Sequence, residues 1–303
     1  MWEKLGLVHV AKGDQPWAMT HAFIPTSWMA DEDRIRVYSA FVDDQGIGRV
    51  GAVDVACADP LQVLKVSTEP VLDIGQAGTF DDNGVTPVCV VPHDSGLLLY
   101  YVGWQLGVRA RYYLFIGLAE SHDGGENFAR KSQVPLLDRS DGELFVRTAS
   151  HVMNDDGLWR MWYIAGDEWT DVGGKEVPTY NMRYLESDRP DRWGTKGRVC
   201  LELANDDEYG FGRPFVQKHG EGFRMWYSIR TRSKGYRLGY AESDDGIAWV
   251  RKDDQVGIDV SADGWDSEMI CFACVQPTPH GTYMFYNGNN YGETGFGVAV
   301  WRD

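Results

Sequence analysis

The sequence predicts an all-β chain: a five-bladed β-propeller, four antiparallel strands per blade, closed by an N-terminal strand that completes the last blade. Three observations carry this expectation. Glycine and aromatic residues are in excess, one spacing recurs five times, and the last copy lacks a strand that the first residues can supply.

The chain holds 35 glycines in 303 residues, about 12% against a usual ~7%. Aromatics make up 13%, with 12 Trp and 15 Tyr, while hydrophobic and charged fractions of 43% and 24% are those of a globular chain. Such a composition suits many short strands joined by tight turns. No apolar stretch approaches the roughly 18 residues of a membrane helix; the run Leu97–Val102 is strand-sized. A net charge of −16 repels a nucleic-acid backbone, and its acids are dispersed through turn sequences, where they serve solubility. The five cysteines, at 57, 89, 200, 271 and 274, show no zinc-site spacing, since Cys271-x-x-Cys274 has no second pair. No oxygen-rich loop has calcium-ligand spacing, so neither metal nor cofactor is expected. Met1–Gly6 has no basic end followed by an apolar block; the expectation is a cytoplasmic protein with reduced thiols.

The repeat is found from one spacing. A small or proline residue is followed 13 positions later by tyrosine in Pro25/Tyr38, Pro87/Tyr100, Ser150/Tyr163, Pro214/Tyr227 and Ala273/Tyr286. Successive copies lie 59 to 64 residues apart. Each reads as an apolar run, a polar turn such as Asn154-Asp155-Asp156-Gly157, and an alternating apolar second strand ending at the tyrosine. A third strand follows, written Gly-x-Ala-Glu-Ser-x-Asp-Gly at Gly117–Gly124 and Gly239–Gly246, and more loosely at Arg183–Asp188. An aromatic (Phe128, Trp193, Trp249) then opens a fourth strand and suits a gap between blades. The last copy stops on its third strand, Gly297–Asp303, and Trp2-Glu3-Lys4 resembles Trp249-Val250-Arg251-Lys252. The termini therefore join in one domain, 1–303, with blades at about 18–75, 80–140, 143–205, 208–260, and 266–303 plus 2–12, so that closure protects the sheet edges.

The turns between first and second strands are short and polar. The connections between second and third strands, about 41–48, 103–112, 166–180, 230–236 and 288–294, differ in every copy and are rich in aromatics. Variable loops on a regular scaffold are where binding sits, which makes the channel mouth on that rim the expected site. Residues just before the small/Pro column should line it: Thr20 and His21; Asp81, Asp82 and Thr86; Glu143, Arg147 and Thr148; Glu208, Tyr209 and Arg213; Asp266 and Glu268. The loops add Trp17, Trp104, Asp167, Trp169, Arg230, Asn287 and Asn290. Aromatic faces stack on sugars, and carboxylates and amides bind hydroxyls and run acid/base chemistry. Asp82 and Glu268 share one aligned position and are the candidate catalytic carboxylates. Trp17, His21, Trp104, Glu143, Arg147, Tyr209, Arg213 and Asn287 are the candidate substrate-binding residues, the two arginines suiting an anionic group. Asp81 and Asp266, recurring one per unit, read rather as braces that hold neighbouring blades together by accepting backbone N–H groups.

The five repeats, Gly212-Arg213-Pro214 and the Ala-Glu-Ser-x-Asp-Gly segments resemble the five-bladed propeller glycosidases of the arabinanase, β-xylosidase and invertase type. The resemblance implies three carboxylates, one from the first strand of each of the first three blades, close to the small/Pro column. Here the residues directly before that column are Ile24, Thr86, Ala149, Arg213 and Phe272, none of them acidic. The first expectation is a glycosidase-like enzyme acting on an anionic or phosphorylated sugar or oligosaccharide through Asp82 and Glu268. The alternatives are a non-catalytic sugar or sugar-phosphate binder accessory to glycan biosynthesis, and a propeller lyase or isomerase using His21 or His151.

Overall fold

The computed structural model describes residues 1–94, 96–166 and 168–302; Ser95 in the second copy's turn, Asp167 among the rim candidates and Asp303 lie outside the described residues. The strands in chain order begin with β1 (Trp2–His9), β2 (Thr20–Met29), β3 (Arg34–Val42), β4 (Gly48–Ala56) and β5 (Val63–Val66). Next come β6 (Val85–His93), β7 (Gly96–Leu106), β8 (Tyr112–Ser121) and β9 (Ala129–Arg130). They are followed by β10 (Val146–Asp155), β11 (Leu158–Gly166), the hairpin β12 (Trp169–Val172) and β13 (Lys175–Pro178), β14 (Asn181–Ser187) and β15 (Arg198–Leu201). The last are β16 (Glu208–His219), β17 (Gly222–Thr231), β18 (Arg237–Ser243), β19 (Val250–Arg251), β20 (Cys271–Thr278), β21 (Gly281–Asn287) and β22 (Phe296–Trp301). A 3-10 turn spans Asp253–Gln255, and a short turn, α1 (Asn289–Gly292), in which Asn290 and Tyr291 take left-handed φ, precedes β22. No helix among the described residues is long and apolar enough to cross a membrane.

The four-strand period of the sequence recurs in the pairing. β2-β3-β4-β5 and β16-β17-β18-β19 are antiparallel sheets in chain order. A larger sheet contains β6-β7-β8-β9 and β10-β11-β14-β15, joined by one parallel pair, Val146 with Leu114. In the remaining sheet β1 pairs antiparallel with β22, Trp2 opposite Trp301, so the first strand of the chain is the fourth of the last array. The first strands touch in cyclic order: β2 with β6 and β20, β6 with β10, β10 with β16, and β16 with β20.

Second strands are buried on both faces, as in β3, where only the end residues are partly exposed. The alternation expected of these strands therefore gives way to burial on both faces, because each is covered by a neighbouring sheet on either side. The five aligned tyrosines are completely buried. Outer strands are wet; all of Val63–Val66 is exposed. Aromatics before or within the fourth strand pack on a second-strand aromatic of the preceding array: Phe128 on Tyr38, Trp249 on Trp162 and Trp2 on Trp226, with ring centroids 5.5, 6.3 and 6.2 Å apart. Trp193 lies in the turn ahead of β15, which starts only at Arg198; its indole N–H and the Tyr100 hydroxyl both donate to the Pro190 carbonyl. In the Ser-x-Asp-Gly turns, Ser121 and Ser243 donate to Asp123 and Asp245 and accept from the Gly125 and Gly246 N–H groups.

The small/Pro column has a structural meaning that periodicity does not reveal. In four arrays it forms a β-bulge with the residue before it: Ile24-Pro25, Ala149-Ser150, Arg213-Pro214 and Phe272-Ala273 each oppose a single residue on the second strand. A bulge interrupts the two-residue alternation and re-aims a side chain. Ile24, Ala149 and Phe272 take positive φ (55°, 42° and 58°), which only a locked surrounding sustains in non-glycine residues. In the second array the extra residue is Val88, and the register around Tyr100 and Tyr101 shifts accordingly.

Candidate functional site

A cavity of about 680 Å³ opens where the first strands meet, within the range of ligand pockets. All five connections between second and third strands contribute to its wall, including Gly46, Trp104, Lys175, Arg230 and Tyr291. Its floor contains the five residues that precede the small/Pro column: Ile24, Thr86, Ala149, Arg213 and Phe272. The wall is aromatic: Trp104 lies 5.5 Å from Tyr112, and Tyr236 lies 6.0 Å from Phe272 and 5.0 Å from Tyr291. Among the described residues, no carboxylate and no imidazole lines this cavity, while Arg111, Lys175, Arg213 and Arg230 do. A chain of charge −16 therefore surrounds a locally cationic hollow.

The two buried arginines have different duties. Arg213 stands on β16, and its Nη1 donates to the carbonyls of Pro25, Phe272 and Ala273, while Nη2 donates to the Thr26 hydroxyl and the Val88 carbonyl. One guanidinium thus ties β2, β6 and β20 to β16. Arg230, on β17, is 5% exposed and lies over the rings of Tyr180 and Tyr209, 4.4 Å from each centroid. Its Nη1 donates to the Pro178 carbonyl at 2.9 Å, and its buried Nε has no hydrogen-bond partner. Burial works against its charge, but Tyr236, Tyr180 and Tyr209 hold its pKa above the ordinary value. The nearby acids are engaged elsewhere: Glu208 takes Arg251 through both oxygens, and Asp207 takes Ser233. Desolvated cation–π contacts return about 2 kcal/mol each. Burying the ion costs several kcal/mol, so the aromatic box does not fully replace a counter-charge. Gly210 permits this approach, since a Cβ there would meet the Tyr180 nitrogen at 2.9 Å and Arg230 Nη1 at 3.2 Å.

Of the ten residues expected at the site, Trp104, Tyr209 and Arg213 line the cavity. The other seven do not. Asp82 accepts the Gly78 N–H within the turn before β6, and Glu268 is exposed, its backbone carbonyl taking Arg237. Trp17 donates to the Thr68 carbonyl beside a separate hollow between β1 and β5. His21, at φ 58°, has its Nδ1 3.0 Å from the Thr20 hydroxyl, and burial lowers its pKa. Asn287 shapes the floor without facing it: its Oδ1 accepts the Ile24 N–H and its Nδ2 donates to the Ala22 and Gly295 carbonyls. His151 is packed beneath the floor against Phe215, and burial lowers its pKa to about 3.

Glu143 and Arg147 form a buried ion pair with each other. Glu143 also accepts the Tyr163 hydroxyl at 2.7 and 2.9 Å, the Gly197 N–H and Arg183. The same device recurs with a 20-residue offset. Asp81 accepts Tyr101 at 2.9 Å and Arg130 at 2.7 Å, and Asp266 accepts Tyr286 at 3.0 Å and Lys4 at 2.6 Å. These acids brace strand entries. The residues missed in the sequence, Arg111, Tyr112, Lys175, Tyr180, Tyr236 and Tyr291, sit in or beside the variable loops; their signal was the aromatic content of those loops. No group of three metal-ligating side chains is found among the described residues.

No protein-family model matches the chain. Uncharacterized protein Rv1502 of Mycobacterium tuberculosis (strain H37Rv) is 35% identical over 299 residues, 99% of this chain and 98% of that protein. Uncharacterized protein MT1551 of the CDC 1551 strain matches to the same extent. Among solved structures, a glycosyl hydrolase from Bacteroides ovatus superposes with a TM-score of 0.74 at 13% identity, covering 99% of this protein and 93% of that one. A thermostable family-43 glycoside hydrolase gives 0.72 at 16%, covering 94% and 91%. The endo-arabinase of Bacteroides thetaiotaomicron gives 0.68 at 10%, covering 95% and 97%. The expected resemblance to the propeller glycoside hydrolases is thus present in the fold.

Proposed function

This chain belongs to the family of the Mycobacterium tuberculosis protein Rv1502, and we propose that it is a carbohydrate-binding propeller on the glycosidase scaffold. In this reading residues 1–303 form a single ring of five blades. The cyclic contacts of β2, β6, β10, β16 and β20 and the pairing of β1 with β22 support it. The sugar occupies the 680 Å³ cavity, stacked on Trp104, Tyr209 and their neighbours.

One observation carries the choice of a binder over a hydrolase. The five floor positions are Ile24, Thr86, Ala149, Arg213 and Phe272, and the surrounding wall carries no acid among the described residues. Glycosidic cleavage by the common route needs two carboxyls about 5–9.5 Å apart across the bond. Asp82 and Glu268 stand outside the lining residues. The same absence weighs against a histidine-driven lyase or isomerase, since His21 and His151 also lie outside.

The test pairs calorimetric titration of a mono- and oligosaccharide panel with an aryl-glycoside survey. The expected outcome is saturable binding without turnover, and a Kd weakened about tenfold by Trp104→Ala, the loss of one stacked ring. Turnover abolished by Asp82→Asn or Glu268→Gln would overturn the reading and restore the carboxylate pair. Binding indifferent to Trp104→Ala would move the sugar out of this cavity.

A further inference from the structure

The cavity contains more positive charge than its own structure uses. Arg213 gives both terminal nitrogens to four carbonyls and a hydroxyl and acts as an axial tie, only its buried Nε lacking a partner. Arg147 is neutralised by Glu143 at a strand entry. Arg230 is different. It reaches the cavity surface, has no carboxylate partner among the described residues, and gives only one terminal nitrogen, Nη1, to a carbonyl, leaving Nη2 without an acceptor there. Its position is fixed on three sides. Tyr180 and Tyr209 hold the guanidinium plane, the Pro178 carbonyl holds Nη1, and the Tyr180 and Gly210 backbones bridge across the two units that supply the rings. Arg111 and Lys175, both exposed, stand on the approach. A rigidly held guanidinium with an unanswered terminal nitrogen at an aromatic hollow suits an anionic group, with the outer cations steering it inward.

The geometry points to Arg230 as the receptor of an anionic group, a uronate carboxylate or a sugar phosphoryl group, on the sugar that fills the cavity. This rests on the carbohydrate reading above. It also relocates the anion site: the sequence suggested Arg147 and Arg213, and both are committed to the scaffold. The selected ligand is then an acidic sugar or a phosphorylated one, and its neutral counterpart leaves the buried charge unanswered.

The experiment uses matched pairs differing in the charged group: methyl glucoside with methyl glucuronide, galactose with galacturonate, glucose with glucose 6-phosphate, and mannose with mannose 6-phosphate. Each is titrated calorimetrically against the full chain at low ionic strength. The expected result is an anionic member bound at least about tenfold more tightly than its partner, with the advantage lost in Arg230→Gln and only partly kept in Arg230→Lys, which retains charge without the fork. Uronate and phosphate arms separate the two sources of the anion. Near-ultraviolet circular dichroism checks the fold of each variant. The surface pair Arg111→Ala/Lys175→Ala, which leaves the buried box intact, is expected to weaken the anionic member a few-fold and flatten its salt dependence. Neutral members binding as tightly as anionic ones would overturn the inference and leave the sugar reading standing. An anionic preference unchanged in Arg230→Gln would overturn the assignment to this residue. Failure of every pair to bind would overturn the sugar reading and this inference with it.

Discussion

The strand entries and the cavity floor are built from neighbouring stretches of the same strands, yet their electrostatics are opposite. At the entries, Asp81, Glu143 and Asp266 are buried, each bonded to a tyrosine 20 residues on and to a cation. At the floor, a few residues further along, the side chains are aliphatic, aromatic or cationic, and Arg213 is answered by neutral oxygens alone. The difference teaches that acids near the small/Pro column belong to the scaffold here, whereas the cations of the cavity are left for something else to neutralise.

The largest effect expected from breaking this division is at Glu143. Glu143→Gln removes the only charge answering Arg147 among the described residues and replaces one of the two oxygens that Tyr163, Gly197, Arg147 and Arg183 share with an NH2 donor. Urea unfolding should show a loss of about 3–5 kcal/mol, as for other broken buried pairs. A loss under about 1 kcal/mol, in the range of an exposed pair, would mean that the brace is ornamental.

Acid supplies the second test. His151 is buried beneath the floor; desolvation, and next the field of Arg213, lower its pKa from 6.5 to about 3. Its folded form is neutral while the unfolded chain takes up a proton near pH 6.5, so its contribution is complete above that pH and lost as pH falls toward about 3. Within that window stability should decline by up to about 1.4 kcal/mol per pH unit from this group, and His151→Gln should flatten the decline. Equal slopes in the two proteins would place the imidazole in contact with water.

The smallest stability effect is expected at Arg230, the proposed anion receptor. Arg230→Met replaces an incompletely answered buried cation with an apolar side chain of similar length. Its unfolding free energy should change by no more than about 1 kcal/mol, since relief of the desolvated charge offsets the missing cation–π and hydrogen-bond energy. A cost comparable to that of Glu143→Gln would make Arg230 another brace and dissolve the contrast.

Much of this architecture is readable in one dimension because it is periodic. The 13-residue spacing, the Ser-x-Asp-Gly turns and the likeness of Trp2-Glu3-Lys4 to Trp249-Val250-Arg251-Lys252 are local patterns, and each corresponds to a strand, a turn or the β1–β22 pairing. The sequence also determined that the residues directly before the column, Ile24, Thr86, Ala149, Arg213 and Phe272, include no acid. What it could not tell is which way neighbouring side chains face. A bulge re-aims Ile24 and Phe272 at the cavity, while Asp82 and Glu268, placed at the mouth by counting, lie off it in the turns ahead of β6 and β20, where strand alternation does not apply. Only the tertiary structure brings Tyr180, Tyr209 and Arg230 together from strands and loops up to 50 residues apart, and only there does a solvated, strongly acidic chain enclose a cationic hollow. Pattern is carried by neighbours in sequence; the charge of a site is set by which groups the packing removes from water together.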